Sequence, residues 1–473
     1  MKRRDLLAVS SLCFLPSVSW AQDTDSAEIY DTVVVGSGAA GLAAAVGAAQ
    51  SGMKKVLVIE KAPTLGGHTI LSTGYMSAVS PEGKSPSQYR QDVEAMIADM
   101  MRVGENRNNP VLVRKLVEES GSALMWLESM GLEWVPHVYQ TLAGLSPRSY
   151  IPSLVRAGYD YVVTLSKTAR SLGVEIQLGT RAQKLMTDAK GRVVGVVVRK
   201  NQQTIPIQAR SVILATGGFV ANVKLRQQYD PRLDETFTTT ADPYRDNVDN
   251  ATGDGLLMSE ALGADVVDMD SIQLLPFWGG RLTDYVGADL YVNAQGHRFV
   301  NEASSWKKIA EAIWNLPENY FWVITDSQSL KGASRSAKLM KKIVRQAETI
   351  DEMAGGMGIA PKVLEDTIAR YNGFSKTRID LDFGKNMFTQ DISVPPFYFG
   401  KEHLYVHYCC GGLRFDTQSR VLKKSGEPIE GLYAAGEVTG GLHGADRLGG
   451  CSITDCIVFG RNAGRCAARY VLG

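Results

Sequence analysis

Residues 36–45 read GSGAAGLAAA, from Gly36 to Ala45, and their neighbours decide the fold. A β-branched run, Thr32 to Val35, precedes them; an Ala-rich, helix-compatible stretch follows, and the next apolar run, VLVIE, closes on Glu60. Strand, glycine turn, helix, strand and acid make an α/β dinucleotide-binding unit. Gly36 permits the tight turn, Gly38 lets the backbone approach a pyrophosphate, and Gly41 lets helix and strand pack closely. The positive end of the helix then faces the phosphates. Glu60 is placed to accept hydrogen bonds from ribose hydroxyls, which favours an unphosphorylated ribose. A glycine turn without a ligand is the alternative.

Composition bounds the rest. The 473 residues, 44% hydrophobic and 21% charged, suit a globular protein of two or three domains. With 51 basic and 50 acidic side chains the net charge is +1, so no bulk field points to nucleic acid or to an anionic membrane. The first 21 residues differ from the remainder. Lys2, Arg3 and Arg4 precede an apolar run from Leu6 to Val18, and Ser19, Trp20 and Ala21 offer a cleavage site. This predicts a signal peptide over residues 1–21, similar to a twin-arginine signal, and a periplasmic location for the processed chain. No other segment is expected to span a bilayer. Of six cysteines, Cys13 leaves with the signal. Cys409, Cys410, Cys451, Cys456 and Cys466 remain; no CxxCH predicts a c-type haem and no CxxC pair predicts a metal site. Cys409 and Cys410 are expected as buried thiols, with a strained vicinal disulfide as the alternative.

A helix-rich stretch follows the first unit from Ser87 to Trp134. Strand-like runs and turns then lead to Val212–Leu214, where the first sheet resumes. Residues 267–400 change texture to aromatic-rich segments and charged helices, and are expected to form an inserted capping domain. The nucleotide-binding domain then comprises residues 22–266 and 401–473, with a final amphipathic helix from about Ile453 to Val471.

Six further strings occur in order: ATGGF (Ala215–Phe219), TGDG (Thr252–Gly255), GHRFVNE (Gly296–Glu302), HYCCGG (His407–Gly412), AAGEVTGG (Ala434–Gly441) and GADRLGG (Gly444–Gly450). With the first unit they resemble the soluble fumarate reductase and flavocytochrome c branch of the succinate dehydrogenase flavoprotein family, over essentially the whole processed chain. The resemblance implies FAD, a Rossmann-like FAD-binding domain with an inserted α+β cap, and a substrate held between the cap and the flavin ring. Carried over by position, Gly36, Gly38, Ala40 and Gly41 hold the pyrophosphate and Glu60 the ribose. Gly67, His68, Thr69 and Gly74 line the ribityl and ring, and Asp254, Glu437, Ser452 and Ile453 make further FAD contacts. Ser452 and Ile453 begin the last helix, whose positive end suits charge on the reduced flavin. His68 occupies a position that is asparagine in soluble relatives and a flavin-bonded histidine in membrane-bound ones. A non-covalent contact is expected here, with a covalent histidyl link as the alternative.

The same resemblance gives Arg447 the grip on a substrate carboxylate and His407 a contact to substrate or flavin. A structural ion pair or a core position is the alternative for each. Two departures matter. Counting from Glu302, the family's proton-donating arginine falls on Trp306, whose indole cannot donate a catalytic proton. The histidine of the QxHP segment falls on Leu275. Fumarate is therefore not the expected acceptor; a larger, less polar unsaturated acid is. Arg281, Tyr285 and Lys307 are candidate replacement donors, Arg281 first because it lies in a shortened cap loop. The expected activity is reduction of an activated C=C, a CH–CH oxidoreductase reaction in anaerobic respiration, with electrons from a separate partner such as a cytochrome c. A dehydrogenase running the same chemistry in reverse, and a catalytically silent FAD-containing electron-transfer or binding subunit, are the alternatives.

Overall fold

The computed structural model describes residues 28–141, 144, 146–155, 157–283, 287–329 and 335–473. The expected signal peptide and the candidate Tyr285 lie outside the described residues.

The glycine turn sits where the pattern puts it. Strand Thr32–Val35 runs into it and helix Ala39–Gln50 leaves it, with strand Val56–Ile59 pairing in parallel beside the first. Gly36 adopts φ +107°, and a Cβ there would lie 2.2 Å from the Ala215 carbonyl oxygen, so only glycine closes this turn. These strands belong to a six-stranded sheet. Its order is Arg420–Leu422, Pro428–Ala434, Val212–Leu214, Thr32–Val35, Val56–Ile59, Glu175–Gln177; all neighbours are parallel except the first pair. The central strands TVVV, VLVI and VIL are buried along their whole length, as parallel strands covered on both faces must be.

Helix Ala39–Gln50 is nearly all alanine and glycine because it lies against the last helix, Cys451–Leu472, at backbone distance. A Cβ on Gly464 would stand 2.1 Å from the Ala44 carbonyl oxygen. That last helix begins at Cys451, capped by Gly450, two residues earlier than the amphipathic pattern indicates. Between Glu175–Gln177 and Val212–Leu214 the chain makes an excursion through a three-stranded antiparallel sheet, Arg181–Gln208.

The aromatic-rich segment builds a four-stranded antiparallel sheet, ordered Leu290–Val292, Phe321–Thr325, Phe397–Glu402, Arg345–Ala347. Strand Phe397–Glu402 runs through residue 400. Trp322, Ile324, Leu364, Ile368 and Phe399 form a core here, separate from that of the main sheet. GHRFVNE is bound into it by charge: Arg298 donates to both Glu302 (2.9 Å) and Asp380 (2.9 Å), and all three side chains are buried. A two-stranded antiparallel ribbon, Ile272–Leu275 with Tyr405–Cys409, joins the two parts, carries Leu275 and His407 to the crevice between them, and sets Gln273 against Arg447. Among the described residues no helix is long and apolar enough to cross a membrane.

Candidate active site

Two adjoining cavities, about 820 and 1320 Å³ with their mouths included, meet at His68, Thr69, Glu437 and Cys456. The first is lined by Gly36, Gly38, Ala40, Glu60, Gly67 and Asp254, together with His68, Thr69 and Glu437. Gly74, Ser452, Ile453, His407, Arg447 and Arg281 line the second. Gly41 lines neither: a Cβ on it would meet the Gly36 carbonyl oxygen at 1.9 Å, so it serves the packing of the turn.

The first cavity has the donor set of a dinucleotide cradle. Gly38 is the N-cap of helix Ala39–Gln50 and brings no side chain to the helix start; Thr69 Oγ1 accepts from Ala39 N (3.0 Å). The remaining first-turn N–H groups suit a phosphate. Glu60 braces the turn: one carboxylate oxygen accepts from Ser37 N (3.0 Å) and Ser37 Oγ (2.7 Å), the other from Ala62 N (2.8 Å). A carboxylate accepts about four hydrogen bonds, so capacity for a ribose hydroxyl remains. Asp254 accepts from Lys61 (3.0 Å) and Arg181 (3.0 Å); although burial opposes ionisation, these cations hold its carboxyl below the usual range. FAD fits these residues.

In the second cavity the last helix presents its N-terminus, again capped by a glycine without a side-chain acceptor. His68 Nε2 bonds Asp249 Oδ1 at 2.6 Å, and its Nδ1 lies 3.9 Å from Glu437 Oε2. Burial works against the imidazolium, but the hydrogen bond and charge of Asp249 outweigh it and raise His68 to about 9. The same contact brings Asp249 down to about 2 against its own burial. His407 behaves oppositely. Burial, then the charges of Arg447 and His68, hold it well below the ordinary histidine value, and its neutral ring bonds Thr240 Oγ1 through Nδ1 (2.7 Å).

Arg447 is buried at 6% exposure and makes no ion pair among the described residues. Nη2 donates to Gln273 Oε1 (2.9 Å) and Nη1 to the Leu448 carbonyl (3.2 Å), while Nε has no partner. Its guanidinium lies 4.8 Å from the Tyr408 ring centre. Asp446 arranges this loop. One carboxylate oxygen accepts from Arg447 N (2.9 Å) and Gln273 Nε2, the other from Lys307 N (3.0 Å), near the start of cap helix Trp306–Trp314.

Arg281 and Trp306, far apart in sequence, meet here. The Arg281 guanidinium stands 5.2 Å over the indole, with Asp289 Oδ2 3.5 Å from Nε. Lys307 does not join them: its ammonium pairs with Glu105 (2.6 Å), and Lys307 does not line the cavity. The cap loop itself is held by Glu402, which accepts from the N–H groups of Gly279 and Arg281; burial lifts its carboxyl to about 7. The five cysteines from Cys409 to Cys466 are free thiols, four of them buried, without a vicinal disulfide.

The FAD binding domain family matches residues 31–453. The chain belongs to that family. Within it, the chain falls in the fumarate reductase and flavocytochrome c branch. It is 34% identical over 459 residues to a probable fumarate reductase, Ifc3, of Shewanella frigidimarina, covering 94% of this chain and 76% of that protein. It is 34% identical over 507 residues to a urocanate reductase of Eggerthella lenta, covering 97% and 81%. Among solved structures, the open conformation of a flavocytochrome c3 fumarate reductase superposes with a TM-score of 0.72 at 33% identity, covering 94% of this chain and 79% of that one.

Several residues of this site escape the sequence. Asp249, Thr240, Lys61 and Arg181 carry no motif. Gln273 and Asp446 stand inside QLLP and GADRLGG, but neither string states that they share a hydrogen bond.

Proposed function

We propose that the chain is an exported, periplasmic FAD-dependent reductase that adds hydrogen across the activated C=C of an unsaturated carboxylate other than fumarate. The observation that carries this is Arg447: a buried guanidinium with no carboxylate at ion-pair distance among the described residues, its Nε unpartnered, opening into the cavity that the flavin-binding helix enters. Burying a lone cation is costly unless an anion completes it, and a substrate carboxylate does so with two-point geometry. FAD, when bound, supplies the hydride. The residues do the rest. Arg447 draws electron density toward the carboxylate end and fixes the acceptor. His407, neutral, hydrogen-bonds rather than charges the site. Arg281 holds the proton destined for the other carbon, taking over from the arginine that Trp306 replaces. Asp289 beside it stabilises the guanidinium.

Non-covalent FAD is part of the proposal. Both His68 nitrogens face carboxylates and the ring keeps its proton, whereas a flavin bond requires a free, neutral nitrogen. A separate redox partner such as a cytochrome c is proposed because the sequence holds no CxxCH. The test is oxidation of a reduced viologen dye by FAD-loaded protein against a panel of enoates. Turnover with any enoate supports the reductase. Dye reduction by saturated acids supports the dehydrogenase direction, and silence with bound FAD supports a binding or electron-transfer subunit.

A further inference from the structure

Among the described residues, the cavity beyond the last helix is lined by one cation that makes no ion pair and by a wall of aromatic side chains; His68, also in its lining, is already paired with Asp249. Arg447 is the cation. Arg281 also lines the space, but Asp289 stands 3.5 Å from its Nε and Trp306 lies against its face, so its charge is already answered. His407 is neutral. The site therefore neutralises one carboxylate, and a second one would be buried against Leu275 without a partner.

The wall is built to present rings. Phe277 and Trp278 pack edge to face with centres 5.2 Å apart. The Trp278 indole N–H is spent on the Thr240 carbonyl (2.7 Å), which leaves the ring for apolar contact. Trp306 and Leu275, 8% and 5% exposed, complete it. Asp446 bonds the backbone of both Lys307, next to Trp306, and Arg447, and so ties that ring's helix to the arginine loop.

We propose that the substrates are β-aryl α,β-unsaturated monocarboxylates: flat conjugated acids with one carboxylate at Arg447 and an aromatic ring against Leu275, Phe277, Trp278 and Trp306. Conjugation keeps ring, C=C and carboxylate coplanar, a flat shape that suits stacking against aromatic side chains. In each turnover the C=C π bond breaks. One C–H bond forms by hydride delivery at the ring-bearing carbon, and another by protonation of the carbon next to the carboxylate. The acid gains two electrons and two protons to become the arylpropanoate, and two equivalents of a one-electron donor are oxidised.

Resting on the reductase reading above, this substrate class is tested with FAD-loaded protein, reduced methyl viologen, and three acceptors: 3-phenylprop-2-enoate, but-2-enoate and fumarate. The expected result is a kcat/KM for the phenyl acid at least about tenfold above either other acceptor, from burial of the apolar ring together with stacking. Phe277→Ala is expected to shrink that ratio by about tenfold. Should this variant fail to fold, the wild-type ratio decides by itself. Turnover of but-2-enoate at equal or greater efficiency overturns the aryl class and leaves the reductase standing; turnover of fumarate at equal or greater efficiency overturns the aryl class and the exclusion of fumarate, but not C=C reduction. Silence with all three acceptors overturns the aryl class, and silence across the whole enoate panel overturns the reductase as well.

Discussion

Replacing Arg447 with lysine tests the proposed chemistry at its most sensitive point. The guanidinium is planar and already oriented: Gln273 Oε1 holds Nη2 at 2.9 Å and the Leu448 carbonyl holds Nη1 at 3.2 Å, which leaves Nε and the outer N–H groups for an acid. Lysine keeps the charge but offers a carboxylate one directed hydrogen bond in place of two. A charge-assisted hydrogen bond contributes about 1.5–3 kcal/mol, so Arg447→Lys should lower kcat/KM by about 10- to 150-fold. Arg447→Gln, which removes the charge and both bonds, should lower it by about 10²- to 10⁴-fold. Both variants also leave the Gln273 acceptor short of its donor, a cost of about 1–3 kcal/mol that falls on folding rather than on catalysis. The assay is dye-linked enoate reduction at matched flavin content, with thermal unfolding recorded in parallel to separate the two effects. A lysine variant within about threefold of wild type in kcat/KM, at normal stability, would refute the role of the fork.

Other outcomes follow from the same contacts. Arg281→Gln should lower kcat by about 10²- to 10⁴-fold with KM little altered, measured by steady-state kinetics; unchanged kcat places the proton donor elsewhere. Glu60→Ala orphans Ser37 N and Ala62 N and should reduce flavin retained through gel filtration, read as the flavin-to-protein absorbance ratio. His68, raised from 6.5 to about 9, favours the folded state fully below its unfolded value, and that contribution disappears as pH rises through about 9. The denaturant-measured stability difference between wild type and His68→Asn should therefore shrink between about pH 6 and pH 9.5, by at most about 3 kcal/mol, and by less because the ring is partly exposed.

The fold was legible where local patterns carry it. Thr32–Val35, the glycine turn and Val56–Ile59 need no distant partner to be recognised, because buried parallel strands read as unbroken apolar runs. Arg447 and His407 were legible through their strings. Lys307 shows the limit. Trp306 and Lys307 are neighbours at the start of one helix, and successive helical residues point about 100° apart, so the indole that lines the cavity sends the ammonium away to Glu105. Which of the two faces inward depends on how the cap seats, and no spacing in SSWKKIAEAI states that. The meeting of Arg281 with Trp306 is likewise a product of tertiary closure.

Asp446 shows why the site depends on that closure. Its two carboxylate oxygens are divided between the parts of the molecule: one serves the arginine loop and Gln273, the other the first turn of the cap helix. A helix N-terminus favours an anion, so seating the cap on Asp446 satisfies an otherwise orphaned N–H and steadies the carboxylate that sets the backbone of Arg447. Gln273, on the strand that joins cap and sheet, then grips the guanidinium itself. Trp306, of the aromatic wall, begins that same cap helix. Cap position and arginine orientation are thus one variable, and an acid that spans from Arg447 to Trp306 binds best when both are in place.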